Sequence, residues 1–385
     1  MSDVIRRSVS APRLAPPLAP RLALGVALRV APRLAPRLAL FLALVASAGT
    51  STSACRVELG RAGSEARVRE GATDGPQGEL WVYTSLYRYV VDDLDALAKQ
   101  KLPQVKIQWF ASGSEKVAAR VDAELAAGGV RADVLLTSDP FFFARMKREG
   151  QLSPYVPPAA LRVPRELVDL DGAWLTSRAA TMVIVYNTKR LNAASAPKSY
   201  ADFERPELKG KIIFGDPLAS GTFFTTLAFL EAKYGWAYFD RLKANGLVST
   251  GGNSTVIDRV SAGEFLAGLA LLENVLTAKR KGAPIDYLLP AEGPVLIPGP
   301  VGIFAGARNP VAARAFEDLV FSPEGQAVMV KGDMHSPDAR QPAPEGAPPW
   351  SEVLAKALPW SEDFLNDVER RAAELRATYN ERVQR

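Results

Sequence analysis

Short loops of hydroxyl, amide and glycine residues offer most of the chemistry in this chain. Thr84-Ser85-Leu86-Tyr87, Ser112-Gly113-Ser114, Ser138-Asp139, Ser220-Gly221-Thr222 and Gly251-Gly252-Asn253-Ser254-Thr255 each stand where a strand-like run gives way to a helix-like one. Small neutral donors at helix starts, with glycines that let backbone N–H groups approach closely, suit a phosphate or carboxylate. Taken singly, each loop also reads as a plain N-cap. Together, outside the carboxyl ends of successive strands, they form the pattern an anion-holding cleft requires. The Ser220 and Asn253 loops carry that expectation furthest. Tyr87, Trp109 and Arg178 are further cleft candidates, and Glu273 either faces the cleft to take a hydroxyl or amine or stays a surface carboxylate.

The usual catalytic constellations are missing. The chain has one His, His335, in a Pro- and Gly-rich stretch, and one Cys, Cys55, with no Gly-x-Ser-x-Gly, no phosphate-binding Gly-x-x-x-x-Gly-Lys and no clustered metal ligands. We therefore expect no enzyme, no cofactor and no metal site.

The loops have to be positioned by alternating strands and helices. Leu80 to Ser85 is β-prone and Val90, Val91, Leu94 and Leu97 follow at helical spacing. Val105, Ile107 and Trp109 alternate with polar residues, then Ser112 to Glu115 spells a capping box ahead of Val117, Val121 and Leu125. Val134 to Leu136 is a short apolar strand, and Phe142, Phe143 and Met146 begin a helix ended by Gly150. Thr181 to Asn187 is an unusually apolar strand. Lys211 to Gly215 restarts the alternation, with Phe223, Leu227, Leu230 and Tyr234 on one helix face. Further helices fit Val256 to Ser261, Pro310 to Phe321 and Glu362 to Arg382, and Val295 to Phe304 is an extended run that could carry the chain back. The first three strand-and-helix units favour an α/β fold with a mainly parallel sheet, and a second α/β lobe begins at Lys211.

The chain has 385 residues, 48% hydrophobic and 23% charged, with a net charge of +5. Seven Arg against one Asp in residues 1–55 account for that excess, so the remainder is close to neutral and nucleic-acid binding is not expected. Residues 1–54 repeat Ala-Pro-Arg-Leu and then place Arg33 and Arg37 before the apolar stretch Leu38 to Ala46, the layout of an export signal. Thr52-Ser53-Ala54-Cys55 is similar to a bacterial lipobox, so Cys55 is read as a lipid-attachment residue; simple cleavage after Ala54 is the competing reading. Residues 55–78 read as a flexible tether.

From Leu80 to about Met329 the chain resembles the type II periplasmic binding proteins of the ferric-iron and anion-importing branch. The resemblance rests on Val82-Tyr83-Thr84-Ser85, Arg131 to Thr137, Val185-Tyr186-Asn187-Thr188, Pro197-Lys198-Ser199-Tyr200 with Leu208-Lys209-Gly210-Lys211, and Phe321 to Gln326. It implies an α/β fold of two lobes, each a mixed sheet flanked by helices, 79–180 plus 300–385 and 181–299, joined by hinge strands at Thr181 to Asn187 and Val295 to Phe304. It also implies a monomeric receptor, exported to the periplasm and anchored by its lipid, that hands a small ligand to an ABC transporter permease. Iron-binding members hold the metal on a tyrosine pair shortly after an Asn; here the matching segment is Leu272-Glu273-Asn274-Val275-Leu276, without the pair. The anion-holding loops remain. The resemblance therefore implies a small organic anion, a phosphate ester, phosphonate or carboxylate, bound by Ser85, Tyr87, Ser112, Gly113, Ser114, Ser138, Ser220, Gly221, Thr222, Gly252, Asn253, Ser254, Thr255 and Glu273. A ferric-iron receptor and a sensor lipoprotein serving a signalling partner are the alternatives.

Overall fold

The computed structural model describes residues 75–385; the expected export signal, Cys55 and most of the tether lie outside them. The chain opens with β1 (Gly78–Thr84), α1 (Arg88–Lys101), β2 (Val105–Ala111), α2 (Ser114–Ala126), β3 (Val134–Leu136), α3 (Pro140–Arg148) and the short β4 (Leu152–Ser153). β1 pairs in parallel with both β2 and β3. Alternation along β1 sends Leu80 and Val82 to one face, against Val90, Leu94 and Phe316, and Tyr83 to the other, against Val117, Phe143 and Trp174. This is the first lobe.

The chain then crosses on β5 (Leu175–Asn187), longer at its start than the apolar run Thr181 to Asn187 and buried along its whole length. The second lobe holds β6 (Ile212–Phe214), α4 (Gly221–Tyr234), α5 (Trp236–Ala244), β7 (Val248–Ser249), α6 (Asn253–Ser261), β8 (Ala267–Leu271), α7 (Leu272–Arg280) and β9 (Ile285–Leu288). Its core gathers Ile212, Phe224, Leu227, Tyr238, Val256 and Leu269. The return is β10 (Val295–Phe304), matching the sequence expectation at both ends, followed by α8 (Pro310–Phe321), α9 (Pro323–Lys331), α10 (Trp350–Lys356) and α11 (Glu362–Tyr379).

All strands among the described residues belong to one ten-stranded mixed sheet ordered β2-β1-β3-β10-β5-β8-β6-β7, with β4 also on β10 and β9 also on β5. β5 and β10 lie antiparallel at its centre, Val295 opposite Met182 and Val301 opposite Leu175. β10 continues into the first lobe along β3, and β5 into the second along β8. The parallel ladders lie to either side, so two strands cross between the lobes and strand ends from both converge on the groove there.

Two local expectations change. Ser112 does not cap α2: the N-cap is Gly113 without a side-chain cap bond, and the Ser112 amide instead donates to Thr84 O at 3.0 Å, extending the β1–β2 pairing. The assignment of all of 300–385 to the first lobe also divides. Val368, Leu375 and Tyr379 of α11, with Val383 just beyond it, pack into the second lobe's core, where Tyr379 meets Phe239 of α5 edge-on.

Candidate functional site

Between the lobes lies a cavity of about 290 Å³ lined by Ser85, Leu86, Tyr87, Gly113, Ser114, Ser138, Arg178, Ala180, Ala219, Ser220, Thr222, Gly252, Asn253, Ser254, Leu271, Glu273 and Met334. The first lobe contributes the ends of β1, β2 and β3. Ser85 and Ser138 hydroxyls lie 3.3 Å apart. The second lobe contributes the starts of α4 and α6, whose N-cap residues Ser220 and Gly252 make no side-chain cap bond. Their first amides are therefore not taken by the residue that would usually cap them.

The hydroxyl and amide loops are tied together. Ser220 Oγ and Thr222 Oγ1 are 3.0 Å apart, and Asn253 Nδ2 donates to Thr222 Oγ1 at 3.0 Å. Asn253 Oδ1 accepts from the Leu271 amide at 3.2 Å, which fixes the side chain's orientation toward the end of β8. Across the groove the Gly221 amide donates to Ser114 Oγ at 3.2 Å. A Cβ at Gly221 would lie 2.7 Å from that oxygen, so glycine is what lets α4 approach α2. Tyr87 OH donates to Asn274 Oδ1 at 2.7 Å, a second bond between lobes.

Two ionisable side chains complete the wall. Arg178, on β5, is 4% exposed and its Nη1 has no hydrogen-bond partner. Burial draws its guanidinium down to about 10, still charged at neutral pH. It occupies space left open by Gly299 on β10, where a Cβ would fall 2.6 Å from Nη1. Glu273, in the first turn of α7, is 2% exposed, and burial pushes its carboxyl up to about 8. No ion pair joins the two among the described residues.

Most residues expected from sequence meet in this one cavity. Ser112, Gly221 and Thr255 are not in its lining: Ser112 belongs to the β1–β2 ladder, Gly221 meets Ser114, and Thr255 packs over Gly251. Trp109 is a packing residue, its Nε1 donating to Asp95 at 2.9 Å and its ring edge-on to Phe316. His335 is buried beside β5, bonded through Nε2 to Pro348 O at 2.8 Å, away from the cavity wall. Leu86, Ala180, Ala219, Leu271 and Met334 carried no signal, being small or apolar residues that reach the cavity through the fold alone.

A groove between two α/β lobes, crossed by two strands and walled by helix starts, is the architecture of a solute receptor. The model of the bacterial extracellular solute-binding protein family matches residues 131–355, and the chain belongs to that family. Such a protein is a receptor and leaves its solute chemically unchanged. An uncharacterized protein of Haemophilus influenzae is 29% identical over 268 residues, 66% of this chain and 76% of the relative. A probable ABC transporter periplasmic-binding protein of Sinorhizobium fredii is 28% identical over 49% of this chain and 55% of its own length. Among solved structures, the periplasmic binding protein AfuA from Actinobacillus pleuropneumoniae, with fructose-6-phosphate bound, superposes with a TM-score of 0.70 at 24% identity, covering 80% of this chain and 99% of that one. Iron-bound HitA from Pseudomonas aeruginosa does so at 0.68 and 22% identity, covering 78% and 98%. At these identities the structural likeness is one of fold.

Proposed function

We propose that this chain is the substrate-binding component of an ABC importer, capturing a small organic anion (a phosphate ester, phosphonate or carboxylate) in the interlobe cavity and presenting it to the transporter's permease. The observation that carries this reading is Arg178, a buried guanidinium whose Nη1 lacks a partner in the wall of the interlobe cavity. Leaving such a group unpaired is costly, and an incoming anion supplies the missing acceptor. The uncapped starts of α4 and α6 and the Ser85, Ser114, Ser138, Ser220, Thr222, Asn253 and Ser254 donors favour the same charge. The binding protein of Sinorhizobium fredii supports the transporter assignment, and the fructose-6-phosphate complex supports a phosphate ester. Ferric iron fits less well: Val275 and Leu276, in the segment where iron binders place their tyrosines, are buried in the second lobe's core. The same reading makes the protein a periplasmic monomer held to the membrane through a lipid on Cys55.

The test is a thermal-shift screen of the purified chain against sugar phosphates, phosphonates, small carboxylates and ferric citrate, since a ligand that binds only the native state raises its stability. An organic anion should raise Tm, and Arg178→Met should abolish the response while keeping a cooperative transition. A response to ferric iron alone, with a phenolate charge-transfer colour, overturns the reading.

A further inference from the structure

Arg178 and Glu273 pose a question that a simple anion does not answer. Both are almost fully buried, both line one cavity of about 290 Å³, and they come from different elements, β5 and α7. A buried guanidinium facing a buried carboxyl ordinarily closes an ion pair with it, because each ionised group loses its water and needs the other. Here it stays apart, and the Arg178 side chain is directed by the opening at Gly299. The groups facing Glu273 are Arg178, the Tyr87 and Tyr89 rings at the start of α1, and Asp333 after α9. None of these offers Glu273 a closed ion pair. Asp333 is engaged by Thr277 and Arg280, and Tyr87 OH by Asn274. Leu271 and Met334, also in the lining, are apolar.

Building on the anion reading, we infer that the cavity is complementary to a zwitterion: a small anion seated on Arg178 and the hydroxyl and amide loops, carrying at its other end an ammonium group that pairs with Glu273. A phosphate or carboxylate without that group would satisfy Arg178 and leave Glu273 with its own backbone amide and no counter-charge. An ammonium completes both. Because burial pushes the Glu273 carboxyl up to about 8, capture of an ammonium at neutral pH releases a proton from it, which makes binding tighter as pH rises.

Three probes that differ only at the far end separate the cases: O-phosphoethanolamine, ethylene glycol monophosphate and ethyl phosphate, with β-alanine, 3-hydroxypropionate and propionate as their carboxylate counterparts. Affinities are measured by calorimetry on the full chain between pH 6 and pH 8. The amine of a series should bind at least tenfold tighter than its two analogues. Relative to them, its affinity should rise up to about tenfold per pH unit toward pH 8. Glu273→Gln should remove both the preference and the extra slope while leaving the analogues bound. Calorimetry of the unsubstituted protein in two buffers of different ionisation enthalpy counts the released proton without relying on a variant. Equal affinities and slopes across a series that still needs Arg178 overturn the zwitterion and leave the anion reading standing. Binding of none of the probes, with ferric iron or an uncharged solute bound instead, overturns both.

Discussion

Two buried carboxyls contribute to stability with a pH dependence opposite to that of paired carboxylates such as Asp95 and Glu124. Glu317, on α8, is 1% exposed and its Oε2 has no partner, and burial pushes its carboxyl up to about 8. The folded state therefore keeps a proton that the unfolded chain loses near 4.5. That contribution is complete below about pH 4.5 and is lost progressively as pH rises toward 8, with Glu273 acting in the same sense. Glu317→Gln removes the dependence at that site. Thermal unfolding should show a Tm difference between variant and parent that is small at pH 5 and grows to a gain worth roughly 4 kcal/mol for the variant at pH 8. An identical difference at both values would mean that Glu317 does not titrate in this range. Neither glutamate's burial was readable from its neighbours in sequence, since burial here is set by elements far along the chain.

At the scale of elements, β10 shows how a strand can prepare a site it does not line. Its range and its Pro and Gly punctuation were legible, but the reason for Gly299 was not. Gly299 stands opposite Arg178 in the β5–β10 register, at an irregularity beside Pro300, and a Cβ there would lie 2.7 Å from Arg178 Cγ. Gly299→Ala should turn the guanidinium from its seat and weaken binding of any anion identified in the screen by tenfold or more. The unfolding transition should stay cooperative. Undiminished affinity in titration calorimetry would show that the arginine's present position is not what the ligand uses. The contrast with Ser112 is instructive: a good capping-box spelling lost to the β1–β2 ladder, because a backbone pairing continued one residue beyond the strand.

At the scale of the molecule, α11 binds the two lobes together. Toward the first lobe, Arg148 pairs with Glu369 at 2.6 Å, and Arg376 with Glu115 at 3.0 Å. Toward the second, Arg371 reaches Glu231 at 3.3 Å, Tyr379 OH bonds Ser249 at 2.9 Å, and the Arg376 guanidinium lies 3.6 Å from the Phe224 ring centroid. Arg376 also sits 3.9 Å from the buried Asp139. Removing it leaves Glu115 and Asp139 without their shared cation. Arg376→Ala should cost about 2 kcal/mol in urea unfolding, with Arg376→Lys restoring only part, since an ammonium lacks the flat fork that stacks on Phe224 while pairing with Glu115. Full restoration by lysine would reduce the role to charge alone.

Local chemistry was enough to determine the α/β class, the main strands and helices, and most of the loops that became the cavity wall. Periodicity, capping residues and loop glycines act over a few residues, and the chain writes them in order. The tertiary structure decided which loops meet. Gly221 was singled out as a ligand contact and became the close approach between lobes; Arg178, one cleft candidate among several, became the buried charge at the cavity's base. Those outcomes rest on the register of β5 against β10 and on the packing of α11 across both lobes. Such contacts join residues more than a hundred positions apart, where no local pattern in the sequence records them.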